Sequence, residues 1–61
     1  MNKQLSNGHR NATIRQKDNG DYEVFIGYHN SDRISGMDVV ELKTYKRLNT
    51  AEKFCFKWIN D

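Results

Sequence analysis

The hydrophobic pattern of this chain changes from a period of two residues to a helical period between its middle and its end. In the middle, apolar or aromatic side chains occupy every second position, which is typical of a strand with one buried face: Tyr22, Val24, Ile26 and Tyr28. From residue 49 onward the apolar side chains recur at helical spacing and form one stripe: Ala51, Phe54, Cys55, Trp58 and Ile59. Strands followed by one closing helix predict an α+β fold, but no motif identifies a reaction or a ligand.

The length and the cysteine content limit what can hold this fold together. A chain of 61 residues forms one domain at most and buries only about 60% of the surface that its unfolded form exposes. The single cysteine excludes an internal disulfide, and no Cys/His set has the spacing of a structural zinc site. Since nearly every large apolar residue is needed for the core, we expect no substrate pocket, no catalysis and no cofactor.

The charge balance is mildly basic. Ten Lys and Arg against eight Asp and Glu leave a net charge of +2, which permits contact with nucleic acid without requiring it. No apolar run approaches the roughly 20 residues of a membrane span, and residues 1–10 lack the apolar core of a signal peptide. We therefore expect a cytoplasmic protein, with no membrane partner and a reduced thiol.

The start of the chain is polar. Residues 1–10 contain one bulky apolar side chain, Leu5, which is too little to offset the entropy of ordering. We expect a flexible N-terminal tail over residues 1–10 and a single small domain over residues 11–61.

A hairpin follows the predicted tail. Strand one is predicted over residues 11–17, where Ala12 and Ile14 share one face and Thr13, Arg15 and Lys17 share the other. Asn19-Gly20 predicts a tight turn, because both residue types tolerate a positive φ. Strand two is predicted over residues 22–29.

The segment after the loop at residues 30–36 is ambiguous. Residues 37–48 fit a helix passably, but their β-branched and aromatic residues favour a strand. As a strand, the segment places Val40 and Leu42 against the core and Glu41 and Lys43 on the outside. We predict a strand, because a third strand stabilises a hairpin that is marginal by itself.

The helix start has the spacing of a capping box. Asn49 or Thr50 is the predicted N-cap, and Glu52 lies three residues after Asn49, where it also complements the helix dipole. The helix is predicted to end near Ile59. The predicted architecture is β-β-β-α: a three-stranded antiparallel sheet packed against one C-terminal helix.

This layout resembles two families of small DNA-binding domains. The residues that carry the likeness are Asn19-Gly20-x-Tyr22-x-Val24 and Tyr45-x-x-Leu48-x-Thr50-Ala51-Glu52, followed by Phe54 and Trp58. They resemble the plant AP2-type domain and the N-terminal arm-binding domain of tyrosine-family phage and transposon integrases, over roughly residues 12–59. In those families the exposed sheet face reads DNA. The short Lys- and Asn-rich chain is also similar in style to phage or plasmid accessory proteins.

Two functions fit the predicted outer face of the sheet. The leading prediction is nucleic-acid binding, in which cations hold phosphates and an aromatic side chain contacts bases or sugars: Arg15, Lys17, Lys43 and Arg47, with Phe25. The alternative is binding or inhibition of a host protein through an apolar patch on the same face: Phe25, Val39 and Tyr45. A homodimer formed through this face is a further possibility.

The remaining reactive side chains predict no site. His9 and His29 are far apart and have no carboxylate or cysteine at ligand spacing, so we expect no metal. Cys55 lies on the predicted helix stripe with no base nearby in the sequence, which predicts a buried and inert thiol.

Overall fold

The computed structural model describes residues 2–34 and 36–61. Within these residues the chain forms one antiparallel sheet of four strands in the order β1-β2-β3-β4, with one C-terminal helix packed across one face. The elements are β1 (Asn2–Asn7), β2 (Arg10–Gln16), β3 (Tyr22–His29), β4 (Met37–Tyr45) and α1 (Leu48–Ile59). The α+β class with an antiparallel sheet and a closing helix is confirmed, whereas the prediction of three strands is wrong.

The additional strand, β1, lies where we expected a tail. It pairs with β2, and the register places Leu5 opposite Ala12 on the face that α1 covers. Polar contacts to the helix stabilise it further: Lys3 Nζ lies 2.6 Å from Glu52 Oε2, and Asn7 Nδ2 donates to the carbonyl oxygen of Ile59 at 2.8 Å. Hydrophobic patterning missed this strand because only one of its side chains is apolar. Met1, which belonged to the predicted tail, lies outside the described residues.

The predicted hairpin is present as β2 and β3. Gly20 adopts a φ of 92°, and its N–H donates to the carbonyl oxygen of Lys17 at 2.9 Å. β3 has the predicted bounds, and β2 both begins and ends one residue earlier than predicted, so Lys17 lies outside it. Ala12 and Ile14 are buried on the helix side together with Val24 and Ile26, as their alternation indicated.

β4 is a strand, as predicted, but most of its side chains lie on the opposite faces from those expected. Ile26 pairs with Glu41 whereas Gly27 pairs with Val39, so Val40 is an extra residue that bulges out of the ladder. One extra residue inverts the alternation beyond it. Glu41 and Lys43 therefore lie on the helix side and Leu42 lies on the outer face.

The carboxylate of Asp38 in β4 accepts two hydrogen bonds from the loop that precedes the strand. Asn30 Nδ2 and Arg33 Nε donate to the two carboxylate oxygens of Asp38 at 2.8 and 2.7 Å. These two hydrogen bonds, that from Asn30 first, lower the pKa of Asp38 below its usual range. Ser35, within the predicted loop, lies outside the described residues.

The helix carries the predicted core stripe but starts differently. Ala51, Cys55 and Ile59 are buried, and Phe54 and Trp58 pack partly buried beside them.

The N-cap is Arg47, and no side chain caps the first turn. The predicted capping box is wrong: Asn49 lies inside the helix, and Glu52 forms its ion pair with Lys3 of β1 instead.

Trp58 joins the helix to the sheet. Its Nε1–H donates to the carbonyl oxygens of Asn11 and Gly27 at 3.1 and 3.2 Å. The ring of Tyr28 meets the Trp58 ring edge-on at 5.4 Å, and the Arg10 guanidinium carbon lies 4.4 Å from the ring centroid. α1 covers this face of the sheet, and no described helix or strand covers the opposite face.

Candidate functional site

The outer face of the sheet carries a group of adjacent apolar side chains. In register, Thr13 lies opposite Phe25 and Phe25 lies opposite Leu42. A shallow depression of about 280 Å³ is lined by Thr13, Phe25, Met37 and Val39. We call these five residues, namely Thr13, Phe25, Met37, Val39 and Leu42, the outer patch.

Members of the outer patch differ in exposure. Val39 and Leu42 retain 48% and 53% of their accessible surface, whereas Met37 retains only 5%. Phe25 is half-buried, and Thr13 Oγ1 lies 4.0 Å from the Met37 sulfur. Met37 and Thr13 thus form the floor of the patch, and Val39, Leu42 and Phe25 present its accessible surface.

The bulge in β4 creates this patch. Leu42 reaches the outer face only because Val40 is left out of the ladder. The backbone of β4 comes close to β3 at this point because Gly27 has no side chain. Sequence reasoning missed Leu42 for this reason, and the available signal was Gly27, since a glycine within a strand often marks a bulge or a close backbone approach.

The cations predicted to bind nucleic acid do not form one surface. Arg15 lies on the outer face, but its Nη2 is 3.1 Å from Glu23 Oε1, its register partner. Lys17 is exposed at the turn after β2.

The other two predicted cations lie away from the outer face. Lys43 lies on the helix side, with its Nζ 5.1 Å from the Phe54 ring centroid, and Arg47 is the N-cap of α1. The placement of Lys43 on the outer face was wrong because of the bulge.

The residues predicted for protein binding are also divided. Phe25 and Val39 share the outer patch, as expected. Tyr45 pairs with Tyr22 and its ring packs 5.8 Å from that of Phe54 on the helix side, so the placement of Tyr45 on the outer face was wrong. Leu42 takes its place in the patch.

The Cys55 thiol lies in the core on the helix side of the sheet, away from the outer patch. Burial raises the pKa of the Cys55 thiol to about 11; the nearby Glu52 carboxylate raises it further and Lys3 opposes the rise. Among residues 2–34 and 36–61, no three His, Cys, Asp or Glu side chains are grouped as a metal site would require. What the outer patch offers chemically is apolar surface with a polar rim.

Comparisons with known proteins leave the site to be interpreted from its geometry. No protein-family model matches this chain, and searches of curated proteins and of solved structures found no match. Within the described residues, no helix has both the length and the apolar character needed to cross a membrane.

Proposed function

We propose that this chain is a non-enzymatic binding module that docks a partner protein through the outer patch. The observation that carries the proposal is the grouping of Phe25, Val39 and Leu42 on one sheet face, opposite the face that α1 covers. The partner is expected to present a complementary apolar surface.

The energetic argument starts from the exposed apolar area. Val39 and Leu42 keep about half of their surface in contact with water, and burial of apolar area releases roughly 25 cal/mol per Å². Phe25 at the centre is the type of residue on which interface energy concentrates. A folded monomer gains nothing from this exposure, whereas a complex gains from covering it.

The polar rim supports recognition without adding net charge. Arg15 and Glu23 face each other at one side of the outer patch and neutralise each other. Such a rim fixes orientation and contributes little to affinity. An interface of this kind is anchored by apolar contacts, so its affinity should change little with salt.

Nucleic-acid binding through the same face is the competing proposal. It would draw on Arg15, Lys17 and Phe25, but Arg15 is already paired with a carboxylate. Binding through several phosphate contacts should weaken by orders of magnitude between low and moderate salt. Salt dependence therefore separates the two proposals.

The test is a pull-down from a nuclease-treated lysate with matched variants of neighbouring residues. Val39→Lys and Leu42→Lys place a charge in the outer patch, whereas Val40→Lys places the same charge at a residue that lines the groove on the helix side. The proposal expects a specific protein band that survives moderate salt, is lost with the first two variants and is kept with Val40→Lys. Circular dichroism confirms that each variant is folded.

Two results would count against the proposal. The first is equal capture by all three lysine variants, which would place the interface elsewhere. The second is salt-sensitive binding of a labelled DNA or RNA oligonucleotide that is lost in the Arg15→Ala/Lys17→Ala double variant. That second result would support the nucleic-acid proposal instead.

A further inference from the structure

We propose that β4 pairs with β4 of a second copy of this chain, antiparallel, about a two-fold axis that passes through Leu42. The described sheet ends at β4, so the outer side of this strand has no ladder partner in the described chain over residues 41–45. An unpaired strand edge is a template for another strand. This inference does not depend on the outer patch having a protein partner.

The sequence of β4 is self-complementary in charge about Leu42. In an antiparallel pair centred on Leu42, Glu41 lies opposite Lys43 of the second copy, and Lys43 lies opposite its Glu41. Both residues lie on the helix side, where they are about half exposed. The dimer would therefore contain two cross-strand ion pairs, an arrangement that stabilises antiparallel sheets.

The adjacent registers are disfavoured by the same charges. Because opposite residues in a continuous sheet share a face, the two-fold axis must pass through a residue. An axis through Glu41 would place two carboxylates opposite each other, and an axis through Lys43 would do the same with two ammonium groups. The charges thus select the register centred on Leu42 over its neighbours.

The geometry of the fold leaves this edge accessible. α1 packs mainly on β2 and β3, and an open groove lined partly by Val40 and Phe54 separates it from β4. The bulge at Val40 leaves Glu41 to Tyr45 as a regular stretch, which contains the proposed axis at Leu42 and both charged residues that flank it. On the outer face, Leu42 would meet its counterpart, so the two outer patches would become continuous.

The opposite edge of the sheet has no comparable pattern. β1 contains one cation, Lys3, and no acidic residue, and Lys3 is already paired with Glu52 of α1. An antiparallel β1 pair would therefore form no opposite-charge contact in any register. This difference singles out β4 as the edge that a second copy fits.

The test is a charge-reversal cycle measured by sedimentation velocity from about 1 µM to about 1 mM protein. Glu41→Lys and Lys43→Glu each place like charges opposite each other twice, which should weaken the wild-type dimer by about tenfold or more. The Glu41→Lys/Lys43→Glu double variant restores opposite charges and should dimerise like the wild type. A mixture of the two single variants should form a heterodimer in which both cross-strand pairs are again opposite in sign.

The mixture isolates the contact between copies. Within one chain, Glu41 and Lys43 lie 4.0 Å apart, and each single variant loses that contact as well. Mixing cannot restore it, so recovery of dimer in the mixture reports only on pairing between chains. Asp18→Lys and Lys53→Glu are the controls, since they change net charge equally at exposed positions outside β4 and should leave dimerisation unchanged.

Two outcomes would overturn the inference. If the wild-type chain sediments as a monomer up to about 1 mM, the charges on the edge of β4 prevent pairing between chains instead of directing it. A dimer that both single variants keep at wild-type strength would place self-association on another surface. The measurement uses purified protein alone, so its result stands apart from that of the pull-down.

Discussion

Gly27 of β3 lies so close to the backbone of Asp38 in β4 that no side chain fits between them. A Cβ added to Gly27 would lie 2.7 Å from the carbonyl carbon of Asp38 and 2.9 Å from Cα of Val39. This contact adjoins the bulge at Val40, which turns Leu42 to the outer face and Glu41 and Lys43 to the helix side. The faces of β4 beyond Val40 therefore follow from this bulge, which lies where only a glycine fits in the neighbouring strand.

Gly27→Ala is expected to destabilise the fold strongly. The added methyl group would overlap with backbone atoms, which cannot rotate away as a flexible side chain can, and overpacking of this kind costs roughly 3 kcal/mol. Urea unfolding followed by Trp58 fluorescence measures the loss. Gly8→Ala is the comparison: Gly8 has a φ of 64° but open space around it, so only the conformational cost of about 1 kcal/mol applies. Equal losses in the two variants would refute the close approach.

Leu5→Ala should destabilise the protein by about 1–2 kcal/mol, because Leu5 packs on the core from strand β1. Gln4→Ala, at the neighbouring exposed position, should leave the free energy of unfolding nearly unchanged. Thermal or urea unfolding of both variants checks this difference. If Leu5→Ala were as neutral as Gln4→Ala, the N-terminal segment would be a tail in solution.

Arg10→Ala should cost about 1–2 kcal/mol of stability. The guanidinium lies over the Trp58 ring, and Nη1 donates to the Trp58 carbonyl oxygen at 2.8 Å. Asp61→Asn removes only an exposed carboxylate 3.9 Å from the same group, and its effect should be within a few tenths of a kcal/mol. Denaturant unfolding of both variants separates the ring contact from the ion pair. A larger loss in Asp61→Asn would reverse this ranking.

The Cys55 thiol predicts a decline in stability at alkaline pH. Its folded pKa of about 11 lies above the ordinary thiol value, so between the two values the unfolded state releases a proton that the folded state retains. The stability that the folded protein gains from this raised pKa is fully present below about pH 9 and is lost as the pH rises toward 11. Cys55→Ala should show a shallower decline of the free energy of unfolding over this interval. Parallel profiles for the two proteins would contradict the burial of the thiol.

The two elements with strong local signals could be predicted from the sequence. The hairpin follows from Asn19-Gly20 and from the alternation of β3, and the helix follows from its apolar stripe. Both signals are local, because turn geometry and side-chain periodicity act between residues close in the chain. Phe25 and Val39 were placed correctly on the outer face for the same reason.

The tertiary structure decided what depends on contacts between distant residues. β1 exists because Lys3, Leu5 and Asn7 contact β2 and α1, and no local pattern records those contacts. The N-terminal turn of α1 has no side-chain cap because its N-cap residue is Arg47, whose side chain has no hydrogen-bond acceptor, whereas Glu52 lies further along the helix and pairs with Lys3.

The faces of β4 were decided in the same way. Strict alternation from Val39 places Glu41 and Lys43 outward, but the bulge at Val40, beside the close approach of Gly27 to Asp38, reverses them. The sequence by itself thus determined the order and type of the predicted hairpin, third strand and helix. Only the packed structure determined which side chains reach the surface together, because a one-residue bulge exchanges the two faces of a strand without changing its composition.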